Sequence, residues 1–236
     1  MSSAATAQPG RLDEAVRLHW RADASPHTLR RDERLWTGWT AWIVFVFVAP
    51  GVLLMAIEPL TFPAAALCFA HAWAIPWLQA RRGAGQVVAI GGKRSVASPG
   101  PLKDGPEEVA LGLLGDLVGH SGRALLRETG LVLQRGTLGA WLIGEQGAFL
   151  VRGRGRRIDC WCVRVADLSE LPAGDRVAHL LLALREDELG FVKVANLGFS
   201  GAAWRVRQCV DDSVRAAIAA AQRSLRCQQP PVSSSS

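Results

Sequence analysis

Residues Trp36–Ile57 read WTGWTAWIVFVFVAPGVLLMAI, a stretch without one charged side chain. Apolar on every face, it predicts an α-helix about 30 Å long, the hydrocarbon thickness of a bilayer. A buried helix of a soluble domain is usually shorter and keeps a polar stripe. Glu58, Pro59, Leu60 and Thr61 then break the run, and Phe62–Leu78 follows, again uncharged and just long enough to span. The expectation is a transmembrane helical hairpin over residues 36–78, with two polar groups inside it, Glu58 at the turn and His71 in the second helix.

The flanks set an orientation. Trp36, Trp39 and Trp42 gather at one end of the first run and Trp73 and Trp77 at the end of the second, so a hairpin brings both groups to one membrane face. Indole rings favour the headgroup region there. Arg30, Arg31 and Arg34 precede the first run, Arg81, Arg82, Lys93 and Arg94 follow the second, and the connecting turn has no Lys or Arg. The positive-inside rule predicts a protein integral to the cell membrane with both termini cytoplasmic. The first run begins too late and is too long for a signal-peptide core, and a second run follows at once.

The 236 residues leave room for one cytoplasmic domain beyond the hairpin. The net charge of +6 divides into 8 Lys+Arg against 6 Asp+Glu in residues 1–82, and 19 against 15 in residues 83–236. A modest basic excess suits a domain tethered to anionic inner-leaflet lipid. No basic run is interleaved with aromatics, so nucleic acid is not an expected partner. Five scattered cysteines, an odd number facing a reducing compartment, argue against a disulfide framework.

Outward from the hairpin, residues 1–35 form an N-terminal cytoplasmic segment, disordered over the first ten. Residues 11–20 predict a short helix with Leu12, Val16 and His19 or Trp20 on one side, suited to a membrane surface, and the next ten predict a linker. Residues 79–105, rich in Gly, Pro and Ser, predict a second linker with a brief strand at Gln86–Ile90. A cytoplasmic domain follows over 106–227, then a disordered tail, 228–236.

Within that domain a helix starts at Pro106, ends or bends at Gly119 and Gly122, and gives way to a short helix over Arg123–Thr129, stopped by Gly130. The period then changes to two. Strands are expected at Leu131–Gln134, Ala140–Ile143, Ala148–Arg152 and Ile158–Val165, joined as an antiparallel meander. A helix over 175–188 capped by Asp175, a strand at Gly190–Leu197 and a helix over 213–226 capped by Asp211 or Asp212 complete the domain. Helix, strands, then helices predict α+β.

Several residues are candidates for chemistry. His71 lies one turn from Cys68, where an ionisable group is a proton-relay, haem or metal-ligand hypothesis; the alternative is a neutral His packed on the first helix and bonded to a backbone carbonyl. Cys160 and Cys162 alternate on a strand and could form half of a zinc site with His179 and Cys209, or be small core residues. Ser200, in Gly198-Phe199-Ser200-Gly201-Ala202, approaches a nucleophile elbow, with His179 and Asp175 as nominal partners. Gly91-Gly92-Lys93-Arg94-Ser95 lacks the first glycine and the final hydroxyl of a phosphate loop. Arg152, Arg154, Arg156 and Arg157 form the densest basic cluster, a solvated turn or a contact for lipid headgroups, an acidic partner or RNA.

The order helix, strand, Gly-x-x-Gly turn, strand over about 110–152 is similar to nuclease-related membrane-tethered domains. Where that pattern requires carboxylates and a lysine, the chain carries Gly139, Arg152 and Arg154, and a metal-dependent nuclease cannot work without its carboxylates. The expectation is therefore a non-catalytic interaction domain that needs no cofactor and binds a protein partner or the anionic membrane surface. The alternatives are a small tethered hydrolase or metal-thiolate enzyme, and an accessory subunit of a larger membrane complex.

Overall fold

The computed structural model of the protein describes residues 12–88, 105–163 and 171–227. The expected disorder of residues 1–10 and 228–236, most of the second linker with Gly91–Ser95, and Val165 at the end of the fourth strand lie outside these residues. The chain is α+β: a five-stranded antiparallel sheet with helices on both faces.

α1 spans Asp13–Arg17 and α2 spans Pro26–Ile57. The start of α2 corrects the linker expected over 21–30. Ser25 and Thr28 form a capping box, Ser25 Oγ accepting from Thr28 N at 3.1 Å and Thr28 Oγ1 from Ser25 N at 2.9 Å. Pro26 occupies the first turn, where its missing N–H costs nothing. Among the described residues, α2 alone is both long and apolar enough to cross a membrane.

A short turn at Pro59–Thr61 leads into α3, Phe62–Gly85. Thr61 Oγ1 closes the end of α2 by donating to the Leu54 and Glu58 carbonyls at 2.7 and 2.6 Å. α3 packs along α2, and at Gly51 a Cβ would lie 2.9 Å from the Phe69 ring. α3 outlasts its apolar run, and Ala80 and Ala84 in its last turns are fully buried in the core of the domain.

α4, Pro106–Thr129, bends at Gly119 (φ 72°) and ends on Gly130 (φ 69°), left-handed conformations that glycine adopts without a Cβ clash. Strands β1 (Val132–Arg135), β2 (Ala140–Gly144), β3 (Gly147–Arg152) and β4 (Arg157–Cys162) form the expected meander. α5 spans Ala173–Glu186, with Asp175 in its first turn rather than at the cap.

The strand expected at Gly190–Leu197 is not there. Glu188–Val194 is a helix, α6, whose first turn is capped by Asp187 Oδ1 accepting from Gly190 N at 2.8 Å. The strand β5 comes later, Asn196–Ala202, and pairs with β4. α7 (Ala203–Cys209) and α8 (Asp212–Arg226) end the described chain.

Two apolar layers result. Leu142, Phe149, Cys160 and Phe199 face α3, α7 and α8; Trp141, Leu150 and Trp161 face α4, α5 and α6. β5 is an edge strand, and the two long helices clasp it. Gly83 of α3 stands so close that a Cβ there would lie 2.3 Å from Phe199 Cβ. Trp36 of α2 meets the Phe199 ring edge-on at 5.9 Å. An uncovered edge would offer unpaired backbone groups to another chain. Here the long helices are built into the domain.

α1 also belongs to the domain. It packs on α6 with Ala15 buried, and the Arg21 guanidinium donates to the carbonyls of Lys193, Val194 and Ala195 at 2.7, 2.9 and 3.0 Å. A cation at a helix C-terminus satisfies carbonyls that lack intrahelical partners.

Candidate functional site

The charged side chains converge where α2 crosses β3, β4 and β5. Cross-strand pairing puts Leu150, Asp159 and Ser200 in one row and Arg152, Arg157 and Ala202 two rows on, on the same face of the sheet. Asp159 is fully buried and accepts from Ser200 Oγ at 2.6 Å, while Arg152 Nη2 approaches its other oxygen to 2.5 Å. Glu33 of α2 reaches down to Arg157 Nε at 2.7 Å and Arg152 Nη2 at 3.4 Å. Arg157 also donates to Thr37 Oγ1 at 3.2 Å. Burial pushes the Asp159 carboxyl above its ordinary range, and Arg152, Ser200 and Arg157 pull the other way.

The basic cluster therefore divides. Arg154 and Arg156 are exposed in the turn, but Arg152 and Arg157 point back into the protein and hold α2 against the sheet. The solvated-turn expectation fails for these two because Glu33 and Asp159 supply the matching carboxylates.

Beside them stands Arg205 of α7. Its Nε is buried with no hydrogen-bond partner among the described residues, and its guanidinium lies over the Trp204 ring at 5.3 Å. Desolvation, and then repulsion from Arg157, lower its affinity for a proton. Arg157 and Arg205 border a groove of about 490 Å³ whose other wall is the Thr37–Val48 face of α2. Arg205 also borders a second cleft with Trp73, Trp77 and Trp204.

The other candidates do not converge. Cys160 faces the α3, α7 and α8 side with Cys209, whereas His179 is exposed on α5, over the opposite face of the sheet. Cys162 ends β4, beyond a register shift at Cys160/Trp161. Burial pushes the Cys160 thiol well up, so it stays neutral. Among the described residues no group of three or more His, Cys, Asp or Glu side chains could hold a metal ion. Strand alternation groups Cys160 with Cys162 but says nothing of which face carries His179.

Ser200 lies inside β5, not on a strand-to-helix elbow, and α5 with Asp175 and His179 covers β1 and β2 at the far side of the sheet. Position 139 excludes a carboxylate sterically: a Cβ on Gly139 would lie 2.4 Å from the Val151 carbonyl oxygen. His71, exposed on α3, donates from Nδ1 to the Leu67 carbonyl at 2.7 Å, and its ring stacks on Phe47 of α2 at 5.4 Å. Glu58 is exposed at the end of α2.

Sequence reasoning missed Glu33, Asp159 and Arg205. It also missed Glu188, which accepts from Thr137 N at 2.8 Å, Leu138 N at 3.2 Å and Trp141 Nε1 at 2.5 Å, tying the β1–β2 loop to α6. No protein-family model, curated protein or solved structure matches the chain.

Proposed function

We propose that the chain is a two-span membrane protein whose α+β domain, cytoplasmic together with both termini, is a non-catalytic module bound to the anionic inner leaflet. The supporting observation is a ring of tryptophans shared by the helices and the domain. Trp39, Trp42 and Trp73 are exposed on the long helices, and Trp204 of α7 is 55% exposed in the cleft it shares with Trp73 and Trp77. Indoles collect at the level where hydrocarbon gives way to headgroups, so α7 would sit at that level too. Arg205 on the same short helix brings positive charge to it.

The second span rests on packing. α3 follows α2 after a short turn, runs back along it, and exposes Phe62, Leu67, Trp73 and Leu78. If α2 crosses the bilayer, a partner packed along it crosses as well. The non-catalytic reading rests on where the charges go: Glu33, Arg152, Arg157 and Asp159 are engaged with one another.

Hydrogen exchange tests the reading. The full chain reconstituted in anionic vesicles should protect the backbone of residues 203–209 more strongly than in neutral vesicles of the same size. Equal protection in both would refute contact with the anionic surface.

A further inference from the structure

We propose that the groove between α2 and the β5 edge binds one anionic phospholipid, with its phosphate on Arg205 and Arg157 and one acyl chain along α2. The proposal rests on the membrane reading above and adds to it a defined site.

The groove changes character along its length. Thr37 and Arg157 lie at one end and Phe45 and Val48 at the other, with the α2 residues on one helical face; Arg205 borders the groove near Arg157 and shares a second cleft with Val44. From Thr37 to Val48 α2 rises about 16 Å. The polar end is level with the tryptophan ring and the apolar end lies deeper in the predicted span. A volume of about 490 Å³ is within the usual range for a bound small molecule.

Charge selects the headgroup. Two carboxylates, Glu33 and Asp159, face two guanidiniums, Arg152 and Arg157. That leaves Arg205, with its buried Nε unpartnered among the described residues and Arg157 repelling it. An anion between Arg157 and Arg205 supplies the missing acceptor and removes the repulsion. A phosphate diester suits a guanidinium because its oxygens match the fork of N–H donors. A free phosphate would leave the Val44–Val48 end of the groove unfilled, and a zwitterionic headgroup would bring a third cation beside the two arginines. An acidic phospholipid fits both ends.

The test uses the full chain in nanodiscs of equal phosphatidylglycerol and phosphatidylcholine, released for native mass spectrometry. Wild type should retain one phosphatidylglycerol, and Arg205→Gln should retain on the order of tenfold less, as expected for losing a charge-assisted contact. Arg207→Gln, an equal charge change at an exposed position outside the groove, should retain it as wild type does. Val48→Trp fills the apolar end without touching the charges and should also displace the lipid. Circular dichroism melts establish that each variant is folded. Loss of retention equally in Arg205→Gln and Arg207→Gln, no preference over phosphatidylcholine, or full displacement by millimolar inorganic phosphate would overturn the proposal. Carbonate extraction of the wild-type chain separates the two failures: release from the membrane refutes the membrane reading along with the site, whereas retention without selective lipid refutes the site alone.

Discussion

Arg152 of β3 and Asp159 of β4 are an ion pair across neighbouring strands, Nη2 to Oδ2 at 2.5 Å, with Asp159 only 1% exposed. The pair sits under α2, and Glu33 joins it from above at 3.4 Å. A buried charge pair is weak support for stability compared with an apolar pair of the same shape, but removing one partner leaves the other stranded. The arrangement locks the orientation of α2, and with it the angle at which the long helices leave the domain.

Arg152→Ala should therefore destabilise the chain by about 3–5 kcal/mol, because Asp159 stays buried without its partner. Urea unfolding of the full chain in a mild detergent, followed by tryptophan fluorescence, reads this directly. A change below about 1 kcal/mol, the scale of an exposed pair, would mean that the pair is open to solvent.

The same pair gives a pH signature. Burial raises the Asp159 carboxyl above its ordinary value of 3.8, so between 3.8 and the raised value the folded chain holds a proton that the unfolded chain has released. Stability contributed by this group is then present at low pH and lost as pH rises through that window. Asp159→Asn has nothing to titrate. The stability difference between wild type and Asp159→Asn should move against wild type as pH climbs above 3.8, and a flat difference would show an unshifted carboxyl.

Glu188 closes a different part of the domain, taking hydrogen bonds from the β1–β2 loop and from Trp141 Nε1. Glu188→Ala leaves four donors without an acceptor: Thr137 N, Thr137 Oγ1, Leu138 N and Trp141 Nε1. A loss of about 1.5–3 kcal/mol is expected, the usual range for hydrogen bonds to a charged group, together with faster amide exchange at Thr137 and Leu138. Unchanged exchange at both amides would place the loop's stability elsewhere.

Much of this architecture was legible in the chain, for local reasons. The meander follows from short apolar runs separated by turns such as Gly144–Gly147, though β2 and β3 are buried on both faces and do not alternate, and the bend of α4 follows from Gly119. The start of α2 was also written locally, in Ser25-Pro26-His27-Thr28, but its third-position Thr stands where a capping box usually has Glu or Gln. Phe191, Val192 and Val194 look like a strand by composition, yet the Asp187 cap and packing against Trp141 make them helical. The site was not legible. Glu33, Asp159, Ser200 and Arg205 come from four elements, and only the sheet register and the path of α2 bring them together.

The cysteines provide a further check on the site. Cys227 is exposed, while Cys160 is buried with its thiol pushed well up. Maleimide at neutral pH should label Cys227 in the folded chain and reach Cys160 only after denaturation. Elemental analysis should find no stoichiometric zinc, since Cys160 and His179 lie on opposite faces of the sheet. One zinc per chain, with Cys160 protected even in denaturant, would contradict that placement.

The most direct measurement is the sidedness of two cysteines in sealed, right-side-out membranes, with the other cysteines replaced by serine. Leu60→Cys stands in the turn between α2 and α3, and Cys227 follows the last helix of the domain. A two-span hairpin with a cytoplasmic domain predicts that a membrane-impermeant maleimide labels Leu60→Cys from outside and reaches Cys227 only after permeabilisation. Labelling of both from the same side would contradict it.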